Sequence, residues 1–114
     1  MAKGRRVFTY FSLHVLTTMN YYIYILECSD KSYYTGITND LTRRVNEHQD
    51  GRIEKAYTHT RRPVKLVYSE TFIDVKQAIA REKQLKKWNR AKKEALINHR
   101  EDVLPELSKA YWSL

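Results

Sequence analysis

Residues 21–28 read YYIYILEC, a run that is apolar on both faces of any extended strand. A strand with one face in water alternates apolar and polar residues. This one does not, so both faces need cover and the run belongs at the centre of a sheet. Ser29, Asp30, Lys31 and Ser32 supply turn chemistry. Residues 33–38, YYTGIT, form a second strand, and the short link makes the pair an antiparallel hairpin. Gly36 inside that strand marks a bulge or a close backbone approach.

The rest of the chain supplies cover for this hairpin. Residues 41–48 form a helix, capped by Asn39 or Asp40, with Leu41, Val45 and His48 on one face and Asp50 and Gly51 ending it. Residues 52–63 are basic and polar and are expected to loop over the surface. Residues 64–72, VKLVYSETF, are a third strand. Asp74 with Gln77 has the capping-box pattern for a helix from 75 to about 88, and Asn89 caps another from 90 to about 99. Pro105 blocks easy continuation, and Trp112 is expected to pack down. The order β-β-α-β-α-α predicts an α/β (α+β) fold, a three-stranded, mostly antiparallel sheet flanked by helices.

A chain of 114 residues suits one domain. Strong patterning starts just after Met19, so residues 1–18 are expected to be a disordered or loosely attached extension, residues 19–100 the domain and residues 101–114 a tail. Lys3, Arg5 and Arg6 before a mixed run faintly resemble a signal peptide, but Tyr10, Ser12 and His14 interrupt it. No apolar stretch reaches the roughly 18 residues of a membrane span. A single cysteine, Cys28, allows no disulfide within the chain and no cysteine zinc set, which fits a reducing cytoplasm. The formal net charge of +8 points to a polyanionic partner. Residues 76–100 hold nine Lys or Arg against two Glu, and Arg61 and Arg62 precede them. Arg61, Arg62, Lys83, Lys86, Lys87 and Arg90 are thus candidates for a phosphate-backbone track, although a charge run also serves as a solvated face.

Several residues break the structural pattern. Glu82 falls within the apolar stripe Val75, Ala78, Ile79 and Leu85 of the second long helix. A carboxylate there needs either a Lys or Arg partner or a hard cation such as magnesium. Arg44 borders the Leu41 face, as a structural ion pair or a bidentate phosphate grip. His48 is a proton carrier or a hydrogen-bonded edge residue. Nine tyrosines occur, five of them on the hairpin: Tyr21, Tyr22, Tyr24, Tyr33 and Tyr34. Core packing accounts for most. Phenols that converge on a polar site could also position water or donate to phosphate oxygens.

Taken in order, these features resemble the GIY-YIG endonuclease superfamily. YIY at Tyr22, Ile23 and Tyr24 stands for the first tripeptide and YTG at Tyr34, Thr35 and Gly36 for the second. NDLTRRV supplies the arginine, Arg44; the EH pair is Glu47 and His48; AREKQLKKW supplies the glutamate, Glu82. Tyr22 replaces the usual first Gly and Thr35 the usual middle Ile, but the phenols of Tyr24 and Tyr34 are kept. The resemblance runs over roughly residues 20–99 and is strongest to small stand-alone bacterial members. It implies hydrolysis of a nucleic-acid phosphodiester, DNA ahead of RNA, in repair or recombination, with one divalent ion, Mg2+ or Mn2+, on Glu82. Arg44 would stabilise the pentavalent phosphate, and Tyr24, assisted by His48 or Tyr34, would position or activate water. The alternatives are a nucleic-acid-binding module that cleaves poorly and an accessory protein of a repair complex.

Overall fold

The computed structural model describes residues 19–99; the extension at 1–18, Arg100 and the tail at 101–114 with Trp112 lie outside them. The apolar run forms β1 (Tyr21–Glu27), with β2 (Tyr33–Thr38) on one side and β3 (Lys65–Phe72) on the other, in the order β2-β1-β3. Both pairings are antiparallel. The hairpin register sets Tyr24 opposite Gly36 and Leu26 opposite Tyr34, and β1 slips its register with β3 between Ile25 and Leu26. The expected element order and sheet are observed, and the central strand is covered on both faces as its composition requires.

The two faces carry different cores. Ile23 and Ile25 point to one side, where they meet Ala78 and Leu85 of α2 (Val75–Lys86) and Leu96 of α3 (Arg90–Ile97). Tyr24, Leu26 and Cys28 point to the other, where Leu41 and Val45 of α1 (Leu41–Asp50) pack on them. Cys28 is a buried free thiol whose ionisation burial pushes up, so it is a packing residue.

Local chemistry sets the helix ends. The Asp40, Asp74 and Asn89 side chains accept from the backbone N–H of Arg43, Lys76 and Lys92 and start the three helices. Gly51 ends α1 at φ 74°, a left-handed position that suits glycine. α1 runs to Asp50, beyond the expected 48, while α2 stops at Lys86 and α3 at Ile97, each short of expectation by about a turn or less. Among the described residues no helix is long and apolar enough to cross a membrane.

Two expectations need correction. Only Ala78 and Leu85 of the α2 stripe are buried; Val75 is 38% and Ile79 41% exposed. The small Ala78 side chain lets the helix approach the sheet closely along a narrow seam. The segment 52–63 is not wholly a surface loop, because a short 3-10 turn (His59–Arg61) follows Thr58, which is buried.

One tie between layers was not expected. Arg81 on α2 donates from Nε and Nη2 to the Glu70 carboxylate on β3 at 2.9 and 2.8 Å, and Tyr68 donates to the same carboxylate. Burial alone would raise the Glu70 pKa, but these donors outweigh it and hold the group below its ordinary range. Arg81→Ala should therefore destabilise the fold by about 1–3 kcal/mol, read from chemical denaturation. In the wild type this contribution is present above the unfolded carboxylate pKa and is lost as pH falls through the lower folded value. An unchanged denaturation midpoint in Arg81→Ala would show the bridge to be idle.

Candidate functional site

Gly36 explains how the site is built. A Cβ there would collide with the Tyr24 phenol, so the ring lies across the β2 backbone where glycine leaves room. From this position the Tyr24 hydroxyl is 2.9 Å from Nε2 of His48 on α1. Nδ1 of His48 is in turn 2.7 Å from the Thr58 hydroxyl. Tyr24, His48 and Thr58 are all nearly inaccessible, each about 1% exposed, so this is a buried polar chain running from the sheet through the helix to the 3-10 segment. His48 is thus an interior group rather than an edge residue.

The other candidates surround this chain. The Tyr34 ring lies 5.0 Å from the His48 ring and 6.2 Å from that of Tyr24, and is only half-buried. Arg44 sits beside Tyr24, partly exposed, with its guanidinium 3.1 Å from the Glu47 carboxylate. Burial and the neighbouring Tyr34 push the Tyr24 pKa up to about 12, and the opposing pull of Arg44 does not offset them. Burial and the Arg44 charge lower the His48 pKa. Near neutral pH, Tyr24 is a phenol and His48 a neutral imidazole with one nitrogen able to accept.

Glu82 comes from α2, which packs on the face opposite α1, yet its charge reaches Tyr24 and contributes to the raised phenol pKa. Its side chain is 16% exposed and pairs with Lys86 at 3.2 Å. Among the described residues no three His, Cys, Asp or Glu cluster to hold a metal ion. A lone carboxylate still fits a hard divalent cation, because Mg2+ keeps several waters and takes only one or two carboxylates plus substrate phosphates.

Four of the six basic candidates have work inside the molecule. Arg61 lies 3.8 Å over the Tyr57 ring and pairs with Asp30. Arg62 donates to the His59 carbonyl, Arg90 to the Lys31 carbonyl and Glu94, and Lys86 meets Glu82. Lys83 on α2 and Lys87, the residue that caps its C-terminus, are exposed.

Residues 20–95 match the family model described as the GIY-YIG catalytic domain. The chain belongs to the GIY-YIG family. Similar chains include a UPF0213 protein of Syntrophus aciditrophicus, 49% identical over 67% of this chain and 87% of its own length. UPF0213 protein YazA of Bacillus subtilis is 42% identical over 75% of this chain and 85% of its own. Among solved structures, the solution structure of protein EF2693 from E. faecalis is 33% identical, covers 70% of this chain and 84% of its own, and superposes with a TM-score of 0.51. Within the GIY-YIG frame, both motif tyrosines and the motif arginine and histidine lie together on the α1 side, with the glutamate approaching from α2.

Thr58 was not singled out in the sequence. It lies in a polar stretch without periodicity, and only its burial against His48 distinguishes it.

Proposed function

We propose that the chain is a metal-dependent endonuclease that hydrolyses nucleic-acid phosphodiester bonds, with DNA the first substrate to test and repair or recombination the setting. The observation that carries this reading is the Tyr24–His48 contact with Arg44 beside it, a proton path next to a fixed positive charge. In the His48 tautomer protonated on Nδ1, the imidazole donates to Thr58, and Nε2 accepts from the Tyr24 hydroxyl. On this reading the attacking water approaches the Tyr24 oxygen from the side of half-buried Tyr34. As the water oxygen bonds to phosphorus and the P–O bond to the leaving oxygen breaks, the water proton passes to the Tyr24 oxygen while the Tyr24 proton passes to Nε2, and the leaving oxygen takes its proton from solvent. Arg44 donates to the oxygens that gain charge in the pentavalent state. Glu82 would hold the divalent cation, which supplies positive charge to the phosphate and the leaving oxygen.

A second reading, a binding module of the same fold that cleaves poorly, is favoured by the Lys86 ammonium lying on Glu82. One screen separates the two. The purified chain is incubated with linear, nicked and branched DNA and RNA in Mg2+ or Mn2+, with EDTA controls. Cation-dependent scission of any of these supports the nuclease; tight binding without scission supports the module.

Binding itself should be salt-dependent on either reading. If about four phosphates are neutralised, log affinity falls against log salt with a slope near −3 to −4. Salt-insensitive binding would leave the basic face a solvated surface only.

A further inference from the structure

Beside the catalytic cluster, along the free edge of β2, lies a pocket of about 330 Å³ lined by Tyr33, Tyr34, Thr35, Tyr57, Lys86 and Lys93. It is joined to the site at two points. Tyr34 belongs to the Tyr24–His48 cluster, and Lys86 is the partner of Glu82. The volume lies at the lower end of the roughly 300–1,000 Å³ of small-ligand pockets.

Its lining has the mixed chemistry of a nucleotide. The Tyr34 and Tyr57 rings stand 16° from parallel with centroids 6.4 Å apart, a rigid aromatic wall, and Arg61 stacked on Tyr57 fixes it. Tyr57 is nonetheless 42% exposed, which leaves ring surface open to a ligand. Thr35 is 3% exposed, and its hydroxyl has no hydrogen-bond partner among the described residues. A buried hydroxyl left so is costly, and a ligand donor or acceptor in the pocket would satisfy it. Lys93 is half-buried, has no carboxylate partner among the described residues, and has its pKa lowered by burial, so an anion beside it would restore the lost solvation. Aromatic faces take any base, and two ammonium groups take phosphate.

We propose that this pocket binds one unstacked nucleotide adjoining the scissile phosphate, with its base on the Tyr34–Tyr57 wall and a flanking phosphate on Lys86 and Lys93. The proposal rests on the nuclease reading for the position of the scissile bond and narrows its substrate. A base in a duplex is stacked and paired, and withdrawing it costs a few kcal/mol. The substrate is therefore a strand that already presents an unpaired nucleotide: a single strand, a flap or a bulge.

The test is equilibrium binding of the full chain, in EDTA so that nothing is cut, to a labelled single strand of about six nucleotides and to the same sequence in a blunt duplex. The single strand should bind at least about tenfold tighter at equal salt. Tyr57→Ala should weaken single-strand binding by about ten- to a hundredfold, the usual cost of one lost base stack, while Tyr57→Phe keeps the ring and the affinity. Lys93→Gln should weaken it too and lower the salt slope by about one. Melting curves confirm that each variant is folded, and exposed Tyr57 makes its substitution safe. Thymidine, which has the base but no phosphate, is the competitor. It should compete poorly because it gives Lys86 and Lys93 nothing to hold, and displacement at equal concentration would show that the pocket takes a base without a phosphate and overturn the proposal. Equal affinity for duplex and single strand, or no change in either Tyr57→Ala or Lys93→Gln, would also overturn it. Scission with no strand preference sinks the pocket alone, and strand preference with no scission sinks the nuclease reading alone.

Discussion

Glu82→Gln should abolish cation-dependent cleavage, with a loss of at least about 10²-fold, while nucleic-acid binding stays level or strengthens. The substitution keeps the size and hydrogen bonding of the side chain and removes the charge that holds the cation. It also removes one negative charge facing the phosphate backbone. The structure fixes what should happen to stability. Among the described residues the ion-pair partner of Glu82 is Lys86, four residues along the same helix, and the Lys86 side chain is 52% exposed. Such pairs contribute about 0.3–0.5 kcal/mol, so the melting temperature should barely move. Had Glu82 been half of a buried pair, stranding the partner would have cost roughly 3–5 kcal/mol. A variant that unfolds, or one that cuts at the wild-type rate, would remove Glu82 from the site.

Tyr24→Phe should be nearly as damaging to cleavage and more damaging to the fold. Its hydroxyl is the group that faces Nε2 of His48. Loss of a positioned proton carrier typically costs about 10²–10⁴-fold in rate. It also leaves a buried imidazole nitrogen without its partner, worth about 1–3 kcal/mol of stability. The wild-type pH profile carries the same information. Because burial and Arg44 hold His48 below its ordinary pKa of 6.5, kcat/KM should rise through an ionisation under that value and be flat at neutrality. Stability should follow with the same sign. The unfolded histidine binds its proton first, so the fold weakens as pH drops below 6.5 toward the lower folded value. A kcat/KM limb that rises only near pH 10 would mean that a free phenol, and not His48, takes the proton.

The sequence exposes the hairpin and its neighbours because the signals are local. YYIYILEC has no polar face, Asp40, Asp74 and Asn89 each stand one residue before a helix, and Gly36 has a reason that can be stated before any coordinates. The cluster of Tyr24, Tyr34, Arg44 and His48 is legible through the family resemblance, whose motif order implies two tyrosines on the paired strands of the hairpin and an arginine and a histidine on the helix that follows. What is not legible depends on pairings between distant elements. Thr58 looks like any threonine in a polar loop until His48 is found against it. Arg81 and Glu70 are eleven residues apart and meet only when α2 crosses β3. Periodicity overstates the buried face of α2, because Val75 and Ile79 share the helical stripe without reaching the sheet. The basic track looks continuous in sequence, yet Arg61, Arg62 and Arg90 are drawn into carbonyl and aromatic contacts that no count of charges reveals.

The central claim is that Tyr24 on the sheet and Glu82 on α2 serve one hydrolytic site. It is tested most directly by the cleavage rates of wild type, Tyr24→Phe, Glu82→Gln and the double variant on one cleavable strand in Mg2+ or Mn2+, well below their melting temperatures. Groups that act as a unit are grossly non-additive, so the double variant should be no slower than the worse single variant. Single variants that cut as fast as wild type, or losses that multiply in the double variant as independent sites would, contradict the account.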